Sequence, residues 1–213
     1  MSRAQRLPQA QRRSQLVAVA TEVFAESGYR TASMDDVAEA AGVSKPVLYQ
    51  HFDSKQALYL AVIDAAAEVF DGILTQALHS TEDNEERVAA TFSAYFSFVI
   101  EHRPQFTVVF RSDSYEPAAE QKVNQVRRLS AERIAQVISE NTMTTPAEAS
   151  LLGQSIIGMA ERSALQFVSG PELDAASTAR LMTYFLWRGI SSFPTSEDES
   201  ERHGGSTRPW ELE

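Results

Sequence analysis

Cysteine is absent from the 213 residues, which excludes disulfides and thiol chemistry. Long apolar runs are absent too: none approaches the ~18 residues needed to cross a bilayer, so no membrane partner is expected. The opening residues, MSRAQRLPQAQRR, are polar and hold no apolar stretch, so they do not fit a secretory signal, and the cytoplasm is the expected compartment. There is no phosphate-cradling glycine loop and no nucleophile elbow, and no acid pair stands out from the surface carboxylates. Catalytic residues, a metal site and a cofactor are therefore not expected. A hydrolase or lyase on a helical scaffold would need such a constellation.

Positive charge is also scarce. The chain carries 19 Lys and Arg against 29 Asp and Glu, a net charge of -10, and the deficit is uneven. Residues 1–56 hold seven basic and six acidic groups, a net +1, which leaves -11 for residues 57–213. A nearly neutral head can still bind nucleic acid if its positive groups cluster, while an acidic body discourages unproductive contact with phosphates. With 43% hydrophobic residues the chain can bury a sizeable core, as one domain or two small ones.

The most informative stretch is residues 34–55, MDDVAEAAGVSKPVLYQHFDSK. Ser33 suits a helix N-cap, and Asp36 stands where a carboxylate can reach back to the cap's own amide. Val37, Ala38 and Ala41 recur at helical spacing, and Gly42 can end the helix in a left-handed conformation. Ser44 is then expected to cap a second helix, with Pro46 tolerated in its first turn. Val43, Leu48 and Phe52 point inward on that helix, leaving Lys45, Pro46, Val47, Tyr49, Gln50 and His51 on or beside the outward face. This is a helix-turn-helix, and its outward face suits a DNA major groove. The alternative is a helical hairpin that only packs.

Residues 16–60, above all SKPVLYQHFDSKQAL, resemble the DNA-binding domain of the TetR family of one-component transcriptional regulators. Residues 12–194 resemble, within that family, the actinobacterial FasR-type regulators of fatty-acid synthesis, with GVSKPVLYQHF and LYLAV as the nearest stretches. The resemblance implies that Lys45, Pro46, Val47 and Tyr49 meet base edges of a double-stranded operator. It likewise implies that Ser33, Ser44, Gln50, His51 and Lys55 meet phosphates. Val47 stands where the family is often polar and offers only a methyl contact, and Gln50 replaces a commoner aromatic or histidine. The remaining histidines, His79, His102 and His203, read as surface residues and not as a helical metal site.

In chain order, residues 1–8 are expected to be a disordered tail, although Arg3 and Arg6 could form a minor-groove arm. A first helix over 9–26, with Leu16, Val17, Ala20, Val23 and Phe24 inward, is stopped by Gly28 and completes a three-helix head. Asp53, with Gln56, is expected to cap a long helix running to Leu78, the natural transmission element into the body. Further helices are expected over 85–102, 117–140, 147–169 and 174–193, with a short apolar segment at 106–110 and a polar tail at 196–213 that includes Trp210. The fold class is thus all-α with about nine helices. Its domains are a helix-turn-helix head at 9–55 and an effector-binding and dimerisation body at 56–195.

The hairpin 147–193 is apolar on more than one side, and Gly153, Gly158 and Ala160 are small enough for close helix approach, so a homodimer built on a four-helix bundle is expected. Phe92, Tyr95, Phe96, Phe106 and Phe110 form the densest aromatic cluster, which on composition alone is either plain core or a ligand pocket. The resemblance implies a pocket, with Leu74, Phe92, Tyr95, Phe96, Val99, Phe106, Phe110, Arg111, Val123 and Phe167 as its candidate lining. It also implies a repressor of fatty-acid or lipid genes released by a small hydrophobic effector, long-chain acyl-CoA. Because the body is acidic, the coenzyme phosphates would need a basic mouth, for which Arg103, Arg111, Arg127 and Arg128 are candidates. A multidrug-sensing repressor of an efflux gene and a helical dimer that binds no DNA are the alternatives.

Overall fold

A computed structural model describes residues 8–110, 116–170, 172–191 and 193. Among them the chain is all-α, with nine helices and no strand: α1 Gln9–Thr31, α2 Met34–Ala40, α3 Lys45–Tyr49, α4 Lys55–Leu78, α5 Asn84–Glu101, α6 Arg103–Phe110, α7 Pro117–Asn141, α8 Pro146–Ser169 and α9 Ala175–Ile190. The expected arm at Arg3 and Arg6, the tail 196–213 with His203 and Trp210, and Arg111 lie outside the described residues. Two compact units result, one of residues up to 69 with 102–124, the other of 70–101 with residues from 125 onward. The division expected from the sequence, 9–55 and 56–195, differs because Leu58, Tyr59 and Val62 of α4 are buried in the first unit, where α6 also packs against α1.

In the first unit Leu16, Ala20 and Phe24 of α1 join Val37, Ala38, Leu48 and Phe52 in one apolar core. The Phe24 ring meets Tyr59 edge-on at 5.0 Å, and Tyr29 lies 4.6 Å from Tyr59. Gly28 interrupts α1 as expected, at φ 73° and ψ 158°, but a further helical turn follows it to Thr31. The α4 cap is Ser54 and not Asp53: the Ser54 hydroxyl accepts from the Ala57 amide at 3.0 Å and its carbonyl from Leu58 at 3.1 Å, so the helix begins one residue later. Gln56 donates instead to Glu116 at 2.6 Å. The apolar segment at 106–110 is helical, with Pro104 in the first turn of α6, where its missing amide has no intrahelical use.

In the second unit α5 packs against α9 and α8. Thr145 and Glu148 form a reciprocal capping box at the start of α8, and Asp174 caps α9 by accepting from the Ser177 amide at 2.6 Å. Hydrogen bonds from that turn hold the Asp174 carboxyl below its ordinary range. The expectation that Gly153, Gly158 and Ala160 together allow a second copy to approach needs correction at Gly153. A Cβ there would stand 2.4 Å from the Ala131 carbonyl and 3.2 Å from the Ala135 Cβ, so Gly153 serves the contact of α8 with α7 of its own chain. At Gly158 a Cβ would meet nothing within 4 Å.

The two helical glycines should therefore respond oppositely to alanine. Gly153→Ala should lose ~1 to 3 kcal/mol because α7 must give way. Gly158→Ala meets nothing within its own chain and, apart from any contact with a second copy, should be neutral or gain up to ~1 kcal/mol from helix propensity. Urea unfolding of both variants checks this, and equal effects would contradict the packing described for α8.

Candidate nucleic-acid interface and effector region

The turn between α2 and α3 is fixed at both ends by local chemistry. Ser33 and Asp36 exchange hydrogen bonds, the Asp36 amide donating to the Ser33 hydroxyl at 3.1 Å and the Ser33 amide to the Asp36 carboxylate at 2.8 Å. These Ser33 bonds keep the Asp36 carboxyl below its usual range. At the other end Gly42, at φ 64°, lets its own amide reach the Glu39 carbonyl and the Val43 amide reach the Ala38 carbonyl, each at 3.0 Å. That is a Schellman closure, which needs a left-handed residue at this position. Ser44 begins α3 as expected, but with its carbonyl: it accepts from the Val47 and Leu48 amides, and its hydroxyl makes no cap bond. Pro46 leaves the second helical position without an amide to cap.

Leu48 and Phe52 are buried beneath α3, which turns the other side outward. Ser44, Lys45, Pro46, Tyr49 and Gln50 are exposed, while Ser33, Val47, His51 and Lys55 are half-buried. Each basic group of this surface has an internal contact. The Lys45 ammonium sits 2.9 and 3.0 Å from the two carboxylate oxygens of Asp35, a hydrogen bond and charge that raise its pKa. Lys55 donates to the Arg30 carbonyl at 3.2 Å and lies 4.7 Å from the Tyr29 ring centre. Arg13 lies over the Phe52 ring at 4.6 Å. Asp35 did not emerge from the sequence, since its pairing depends on the angle between α2 and α3.

Of the candidate effector residues, Leu74, Phe92, Tyr95, Phe96, Val99 and Phe167 belong to the second unit, and Phe106, Phe110 and Val123 to the first. In the second unit Phe96 lies 5.5 Å from Tyr95 and 5.8 Å from Phe167, both edge-on. Phe70 and Phe98, which sequence reasoning missed, extend the cluster: Phe70 is 6.0 Å from Tyr95 and 5.2 Å from Phe98. In the first unit Phe106 and Phe110 pair at 5.5 Å. Phe167 also borders a hollow of about 710 Å³ at the turn between α8 and α9.

Among the described residues the buried Tyr95 hydroxyl has no hydrogen-bond partner. Burial, and then the Glu161 carboxylate, push its pKa up, against a smaller pull from Arg127. Glu161 itself is paired in two-point fashion with Arg127, whose Nε and Nη2 donate at 2.9 and 2.6 Å. Arg128 pairs with Glu132, so two of the four guanidiniums expected at a basic mouth are already matched to acids. His79 and Asp83, four residues apart, both lie between α4 and α5, and the His79 Nδ1 lies 2.8 Å from the Thr75 carbonyl.

Residues 16–62 match the family profile described as bacterial regulatory proteins of the tetR family, and residues 84–189 match a tetracyclin repressor-like C-terminal domain. The chain is 35% identical over 195 residues to the HTH-type transcriptional activator FasR of Mycolicibacterium smegmatis, covering 90% of this chain and 89% of that one. Among solved structures, a TetR-like transcriptional regulator from Rhodococcus sp. RHA1 is 28% identical at a TM-score of 0.73, over 87% of this chain and 99% of that one. FadR from Bacillus subtilis, solved in complex with stearoyl-CoA, is 18% identical at a TM-score of 0.70, over 81% and 96%, a likeness of fold.

The exposed Tyr49 and the tethered Lys55 should fail differently when truncated. Tyr49→Ala should lose ~1 to 3 kcal/mol on a specific site and relax discrimination, whereas Lys55→Ala should weaken all duplexes and lower the salt slope by about one. Anisotropy titrations on specific and random DNA distinguish the two, and equal losses on both duplexes for both variants would remove the assignment.

Proposed function

The chain belongs to the TetR family of non-enzymatic, DNA-binding transcriptional regulators, and from that premise we propose a homodimer that binds a nearly palindromic operator of lipid-metabolism genes and is released by long-chain acyl-CoA. In this reading Lys45, Pro46, Val47 and Tyr49 meet base edges, and Ser33, Ser44, Gln50, His51 and Lys55 meet phosphates. The head and body act as the DNA-binding and effector domains.

The observation that carries the effector reading is the aromatic cluster Phe70, Tyr95, Phe96, Phe98 and Phe167 with a carboxylate beside it that is already neutralised. A cationic drug asks for an unpaired buried carboxylate or an open ring face, and Arg127 removes the first. An acyl chain needs no polar partner, because each buried methylene gains ~0.8 kcal/mol. The same fold holds stearoyl-CoA in Bacillus subtilis FadR, which supports a long-chain ligand at the level of architecture. Acyl-CoA chains of increasing length titrated into a protein–DNA complex should release the protein only when long. Release that ignores chain length, or that occurs with cationic dyes alone, would overturn the reading.

Repression is the expected sign, by an operator-bound dimer that blocks a promoter. The name of the Mycolicibacterium smegmatis relative, a transcriptional activator, favours a second reading, in which the bound dimer supports transcription and acyl-CoA withdraws that support. A reporter fused to the bound promoter, read with and without the gene, separates them by sign.

Dimerisation is supported by Leu151 on α8 and Leu181, Tyr184 and Phe185 on α9, which are 55–66% exposed in one chain. Apolar surface on this scale across neighbouring helices calls for a partner, and a second copy of the hairpin completes a four-helix bundle. Two heads then read half-sites ~34 Å apart or a multiple of that. Phe185→Asp should split the dimer, and sedimentation of the wild type as a monomer at micromolar concentration would contradict the pairing.

A further inference from the structure

Lys45 is the basic group on the exposed rim of α3, and in the free protein its charge is matched at 2.9 and 3.0 Å by Asp35. Both side chains are more than half exposed, so the pair is screened and readily exchanged for other partners. Asp35 stands in the first turn of α2, where a carboxylate favours the helix N-terminus without needing a particular partner. The capping of α2 is carried by Asp36, and Asp35 makes its contact with Lys45 alone among the described residues. The tip of the head thus carries a carboxylate on the face that also presents Pro46 and Tyr49, in a segment whose net charge is only +1.

We propose that Asp35 is a specificity-determining residue, which withholds Lys45 from arbitrary phosphates and lets the head settle only where the base pair beneath it turns its amino group toward the carboxylate. A phosphate or a guanine acceptor can draw Lys45 away, but the carboxylate left behind then faces the polyanion. Each base pair carries one amino group on its major-groove edge, at a place set by which base lies on which strand, so that repulsion is uncompensated wherever the edge turns an acceptor, a methyl or a C–H to Asp35. Where the N4 amino group of cytosine or the N6 amino group of adenine falls opposite the carboxylate, Asp35 accepts from it while Lys45 donates to the neighbouring O6, O4 or N7. The side-by-side donor and acceptor on the protein match the side-by-side acceptor and donor along one base-pair edge. Matched DNA therefore regains both hydrogen bonds, and mismatched DNA loses one and meets a like charge. This rests on the reading that the α3 surface faces DNA.

The test uses the full chain as wild type, Asp35→Ala, Asp35→Glu, Lys45→Ala, the Asp35→Ala/Lys45→Ala pair and Tyr49→Ala. The probes are a duplex selected by the wild type from randomised sequences and an unselected duplex. Asp35→Ala should bind the unselected duplex about 10-fold more tightly, steepen its salt slope by ~0.9 and lower the selected-to-unselected ratio about 10-fold. Asp35→Glu should keep most of the discrimination, and the gain on unselected DNA should vanish in the double variant. Sequences reselected with Asp35→Ala should lose their preference at one base pair per half-site.

Unchanged binding of unselected DNA, or a gain that persists without Lys45, overturns the proposal. So does an equal loss on both duplexes together with a lowered melting temperature, which would make Asp35 a brace between α2 and α3. If Tyr49→Ala also leaves both duplexes unaffected, the reading of α3 as the DNA face fails. If Tyr49→Ala acts and Asp35→Ala does not, the failure is confined to Asp35.

Discussion

A helix of five residues cannot persist in water on its own hydrogen bonds, because nucleation costs more than so few residues return. α3 exists because Leu48 and Phe52 are buried to within 2% of their surface against the helices around them. Everything on its outer side inherits its position from that burial. The Schellman closure at Gly42 fixes where α2 ends, Pro46 restricts the backbone as α3 begins, and Tyr49 and Lys45 are left with few ways to point. The aromatic group Phe24, Tyr29 and Tyr59 does the same for the start of α4.

Charge is distributed by pairing more than by separation. Lys122 bonds Asp64 in the first unit; Arg127 pairs with Glu161, and Arg133 takes Asp71 in a two-point grip at 2.6 and 2.8 Å, in the second. These cross-helix pairs tie α7 to α4 and α8, and they take three of the 19 basic side chains. The acidic surplus that remains bears on partners: it keeps DNA to the head and asks any anionic ligand to bring its own apolar driving force.

What could be read directly from the sequence was local. Ser33 with Asp36, Gly42 and, of the inward set, Leu48 and Phe52 but not the half-buried Val43 are decided within a few residues by capping, left-handed backbone and periodicity. Long helices were legible because their apolar spacing repeats. The misses are of two kinds. At helix starts, neighbouring candidates compete for the same amides, so Ser54 took the place given to Asp53. Across helices, partners are set by angles that no spacing encodes: the pairing of Asp35 with Lys45, the joining of Phe70 and Phe98 to Tyr95, and the service of Gly153 to α7 instead of to a second chain. Residues close in sequence, such as Phe96 and Phe106, belong to different compact units.

The turn amides of Gly42 and Val43 lie in an exposed, glycine-containing corner, yet both donate inward, to Glu39 and Ala38. In hydrogen–deuterium exchange that corner should not behave as a loop. Its protons are released only when α2 itself loosens, and α2 shares one apolar core with α1 and α3. Their exchange rates therefore report the cooperative opening of the head, seen from a place that would otherwise be taken for its most fluid part.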